Sequence, residues 1–74
     1  MKLEHKEFIE LFSKGNPVYF INTFEDTVIK YDGIDNYIAK QRGRIPYEIE
    51  HTTVLVTDAF LESTQISEEE FNKF

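Results

Sequence analysis

Five residues in the middle of the chain, Tyr37, Lys40, Arg42, Arg44 and Tyr47, combine side chains that grip anions with side chains that stack on flat groups. An Arg guanidinium offers a rigid fork of N–H donors to phosphate or carboxylate, and a Tyr ring offers a face to a base. In Lys40-Gln41-Arg42-Gly43-Arg44 the cations fall on a stretch whose Gly reads as a turn, with one Tyr on either side. Two uses follow. The loop binds a partner, or it is a solvated loop whose cations reach Glu48, Glu50 or the C-terminal helix. The acidic remainder of the chain favours the solvated loop.

Other chemistry finds less support. Only His5 and His51 offer imidazole and there is no cysteine, whereas zinc takes three or four protein ligands. Asp32-Gly33-Ile34-Asp35-Asn36 lacks the ligand spacing of a calcium-binding EF-hand loop and reads as turn chemistry. Serines, histidines and acids are present, but no Gly-x-Ser-x-Gly elbow raises one Ser to a nucleophile. Gly15, Gly33 and Gly43 are scattered, so no loop cradles a phosphate. No catalytic residue, metal ligand or cofactor-binding residue is assigned, and the expectation is a protein that is not an enzyme and uses no cofactor.

Charge narrows the partners. The net charge is −6, and it is unevenly placed. Residues 1–44 hold seven Lys/Arg and seven Asp/Glu, whereas residues 45–74 hold Lys73 against seven acids. A phosphate backbone or an anionic membrane is repelled by that second part. The expected partner is therefore protein, a second copy included, rather than nucleic acid or membrane. Two alternatives use the same charges: a nucleic-acid-binding domain built on the Lys40–Arg44 loop, and an acidic mimic of a nucleic-acid backbone. The longest apolar run, Val18-Tyr19-Phe20-Ile21, is far below the roughly 20 residues of a membrane span. The first residues alternate in charge and have no apolar signal region, which makes the cytoplasm the default location.

Seventy-four residues make one domain, residues 1–74, with no disulfide to staple it. Seven Phe and four Tyr are the expected substitute, and pairing with a second copy is another. Phe8, Leu11 and Phe12 recur at helical spacing within 3–14, and Gly15 and Pro17 end that helix. Val18–Ile21 reads as a buried strand, and Thr23–Asp26 as a turn. Thr27–Ala39 reads as a hairpin around Asp32-Gly33, the pair a type I′ turn prefers, which sets Tyr31 against Ile34 and Lys30 against Asp35; a turn at Asp35-Asn36 competes and would change the register. Pro46 pushes 45–50 to an edge strand or an extended loop. Thr52–Thr57, rich in β-branched residues, reads as a strand, and Asp58–Ser63 suits strand or helix. Ser67-Glu68-Glu69-Glu70 is a capping box that starts a short terminal helix.

The fold class is α+β: a small antiparallel sheet of three to five strands, open or bent in an SH3-like way, with an N-terminal helix and a short C-terminal helix. Such a tally suits a small non-enzymatic accessory protein of a bacterium or phage, acting as a protein-interaction or regulatory module.

Overall fold

Phe8, Leu11 and Phe12 lie along one side of α1 (His5–Phe12), where Phe8 is wholly buried. Ser13 caps the helix, Gly15 takes a left-handed φ of +75°, and Pro17 leads into β1. The computed structural model describes all 74 residues. After α1 they form β1 (Val18–Asn22), β2 (Thr27–Tyr31), β3 (Tyr37–Gln41), β4 (Tyr47–Ile49), α2 (Val54–Glu62) and α3 (Glu68–Lys73). Successive strands pair antiparallel in the order β1-β2-β3-β4, as short connections require. β1 and β4 stand at opposite edges, so the sheet is open and not closed into a barrel.

Alternation sends Val18, Phe20, Ile29, Tyr31, Tyr37, Ala39 and Ile49 to one face, and Tyr19, Ile21, Val28, Lys30, Ile38 and Lys40 to the other. The first face carries the core. There Phe8, Val18, Phe20, Ile29, Val56 and Ala59 are buried together, and the rings of Phe8, Phe12, Phe20 and Phe60 lie 4.7 to 5.8 Å apart. Most of these pairs meet edge to face, the arrangement the ring quadrupole favours. On the second face α3 lies over β1 and β2. Phe71 is buried there, 5.5 Å from the Tyr19 ring, and Val28 has no exposed surface. The capping box forms as expected: Ser67 Oγ accepts from the Glu70 N–H (3.0 Å) and Glu70 Oε1 accepts from the Ser67 N–H (2.9 Å).

Three expectations need correction. The stretch Thr52–Thr57 is not a strand; from Val54 it is the first part of α2, which runs on through the ambiguous segment to Glu62. Four strands about 4.8 Å apart make a face wider than one helix of about 10 Å can cover, so α1 alone leaves apolar surface wet. Leu55, Val56, Ala59 and Phe60 recur at helical spacing and supply the second cover. Tertiary burial outweighs the small β preference of Thr and Val. Thr53 Oγ1 caps the start by accepting from the Val56 N–H, and Ser63 closes the end at a left-handed φ of 57°.

The hairpin register also differs. Tyr31 pairs with Tyr37, Lys30 with Ile38 and Ile29 with Ala39, leaving Asp32–Asn36 as the loop. The cause is Asp32, whose Oδ1 accepts from the N–H groups of Ile34, Asp35 and Asn36 at 2.8, 3.1 and 3.1 Å. These bonds, Ile34 foremost, hold its carboxyl below the ordinary range. Gly33 lies so close to α1's exit that an added Cβ would stand 2.6 Å from the Gly15 carbonyl oxygen. Ile34 therefore leaves the core face and is 79% exposed, and Lys30 sits over the Tyr19 ring rather than against Asp35. Finally, the rings do not all collapse inward. Phe24 and Tyr47 remain exposed.

Candidate partner-binding surface

The five residues singled out by sequence are not gathered into one site. Tyr37 lies on the core face, its ring 5.0 Å from Tyr31, and burial pushes its phenol up. Lys40 lies on the opposite face of the same strand. Arg42 grips Asp26 through Nε (3.1 Å) and Nη2 (2.9 Å), and its guanidinium stands 4.1 Å from the Phe74 ring centroid. That fork lowers the Asp26 carboxyl and raises Arg42. The bond was hidden by the register: once Thr27 opposes Gln41, Asp26 and Arg42 face one another just past the ladder's end. Arg44 is exposed, and its N–H closes the turn onto the Gln41 carbonyl (2.9 Å). Tyr47 opposes Ala39 at the open edge.

Neither histidine assembles a reactive centre. His5 is an exposed residue whose Nδ1 lies 2.9 Å from Ser63 Oγ. Ser63 is buried, and its hydroxyl also donates to the Phe60 carbonyl (3.1 Å). The pair fastens α1 to the end of α2. His51 lies in an open cleft of about 280 Å³ beside β4, with Asp35, Tyr37, Glu48 and Glu50. No three His, Asp or Glu side chains are placed to hold one metal ion.

A different surface stands out. Around the axis of α2, Val54, Asp58 and Leu61 project opposite the buried Val56 and Ala59, as positions i, i+4 and i+7 must. Val54 is 73% and Leu61 69% exposed, and Phe24, at the tip of the β1–β2 turn, is 86% exposed. Phe24 and Leu61 line one open depression of about 430 Å³ with Lys2, Asp58 and Glu62. Asp58 also borders a second of about 190 Å³, which includes Glu25, Val54 and Leu55. Asp58 is common to both, so the depression of Phe24 and Leu61 adjoins that of Val54 across a carboxylate.

The turn that presents Phe24 is tied to α2 at both ends. Asn22, fully buried, accepts the Glu25 N–H on Oδ1 (3.0 Å) and donates from Nδ2 to the Leu55 carbonyl (3.0 Å). Thr23 donates from its N–H and its hydroxyl to Glu62 Oε1, at 2.9 and 3.0 Å. Phe24 is thus held in water by a fixed scaffold, although burying such a ring is worth about 1.5–3 kcal/mol. Sequence reasoning missed this surface because it read 52–57 as a strand. On a helical projection, Val54 and Leu61 fall opposite the core residues and would have been found.

No protein-family model, curated protein or solved structure matches this chain.

Proposed function

We propose that the chain is a non-enzymatic protein-interaction module that binds its partner through Phe24, Val54 and Leu61. The observation that carries this reading is the rigid presentation of Phe24 beside the apolar outer side of α2. Single exposed apolar residues are ordinary, but three that line adjoining depressions on a braced support suit a docking surface. The nucleic-acid reading has less behind it, since Arg42 is engaged by Asp26 and Phe74 while Lys40 and Tyr37 point to opposite faces.

The test is a photo-crosslinking residue at position 61 in cells that make the chain. A discrete protein adduct is expected, absent from a Phe24→Ser background and absent with the probe at the exposed Glu10 of α1. Because Phe24 is solvent-exposed, that background retains the fold, which circular dichroism verifies. Identical adducts from positions 10 and 61, or adducts indifferent to Phe24→Ser, would overturn the assignment.

A further inference from the structure

Resting on that reading, we infer that the partner presents a cationic amphipathic segment, with apolar side chains flanked by Lys or Arg. The charges around the surface carry the argument. Asp58 stands between Val54 and Leu61 on the same side of α2 and borders both depressions. Glu25 and Glu62 stand at their margins, so three carboxylates ring the apolar side chains. The one cation there, Lys2, already donates from Nζ to the Glu62 carbonyl (2.6 Å). Neither Asp58 nor Glu25 has an ion-pair partner, since the chain's two ion pairs are Arg42–Asp26 and Lys73–Glu69.

A Lys or Arg side chain suits this pattern chemically. Its alkyl stem covers Val54 or Leu61 while its head reaches Asp58, so one residue satisfies both parts of the surface. A second copy suits it poorly. An isologous dimer would bring the same carboxylates together in a chain whose net charge is already −6. Anionic lipid and nucleic acid meet the same repulsion.

The experiment uses the full isotopically labelled chain and two synthetic amphipathic helices with identical leucines, one carrying Lys and Arg and its twin carrying Glu. With the cationic helix, amide shifts are expected at Phe24, Val54, Asp58 and Leu61. Asp58→Lys should weaken binding by about tenfold, as loss of roughly 1.4 kcal/mol of charge pairing does, and Asp58→Asn by less. The Glu twin should leave those amides unmoved. Equal binding of both helices at Phe24 and Leu61 would overturn the charge inference and leave the apolar surface standing. Shifts from the cationic helix confined to Glu68–Glu70 would also overturn it. If neither helix perturbs the surface and a Val54→Ser, Leu61→Ser variant gives the same crosslinks as the unaltered chain, the surface itself falls. Sedimentation as a dimer that Leu61→Ser dissolves would replace the partner with a second copy.

Discussion

The two edges of the sheet are finished by opposite means. Along β1 the residues that follow α2 return as a fifth, strand-like piece: the Ile21 N–H bonds to the Thr64 carbonyl (3.1 Å) and the Ile66 N–H to the Tyr19 carbonyl (2.9 Å). The first residues then close over that piece, Gln65 N–H to the Met1 carbonyl and Leu3 N–H to the Ser63 carbonyl, both at 2.9 Å. β4 receives no such cover. It has three residues, follows Pro46 and carries Glu48 with Glu50 just beyond. Shortness, proline and charge are how an uncovered edge resists pairing with other chains. One edge therefore joins distant parts of the chain, whereas the other merely ends it.

That contrast can be broken from its strongest point downward. Phe20, fully buried on β1, should cost about 3–5 kcal/mol when replaced by Ala, while Tyr47→Ala on β4 should cost about 0.5 kcal/mol, both read from denaturant unfolding. A smaller difference than this would mean that β4 bears more of the fold than its exposure allows. Gly33→Ala should cost more than about 1 kcal/mol, because its φ of +96° and the Gly15 carbonyl both exclude a side chain. At Gly43, beside β4, the φ is +70° but the space is open, so the same change should cost less.

Acid should act through the caps and loops. Backbone N–H bonds keep Asp32, and likewise Glu70 through Ser67, below their ordinary carboxylate range in the folded chain. The folded state therefore binds their protons more weakly than the unfolded state does. Their contribution is complete above the ordinary carboxylate range and is lost as pH falls through the lowered folded values. Asp32→Asn should lower stability at neutral pH and flatten its acid dependence, measured by thermal melting across a pH series. The smallest effect on stability is expected from Glu48→Val, which should leave the melting point nearly unchanged. Its readout is concentration-dependent association in sedimentation, because it removes a charge that guards the open edge.

Sequence reasoning reached most of the framework. α1 and its stop, β1, the edge position of 45–50 and the capped α3 all follow from patterns within a few residues. One failure came where two local preferences competed, the other where a local preference met a remote demand. Asp32-Gly33 resembles a two-residue turn, but a carboxylate able to accept three N–H groups selects the longer loop. Thr52–Thr57 resembles a strand, yet a half-covered sheet face requires a helix there. Those two errors obscured the surface chemistry as well. The first hid the Arg42–Asp26 pair, and the second hid Val54 and Leu61 on the outside of α2.

The doubly bonded segment 64–66 also bears on how the chain is made. During synthesis residues 1–3 and β1 leave the ribosome well before the groups at 63–66 to which they bond. Residues 1–3 and β1 are thus among the last to find their partners. Until then an edge of the growing sheet stays open, and closure has the long loop that slows folding.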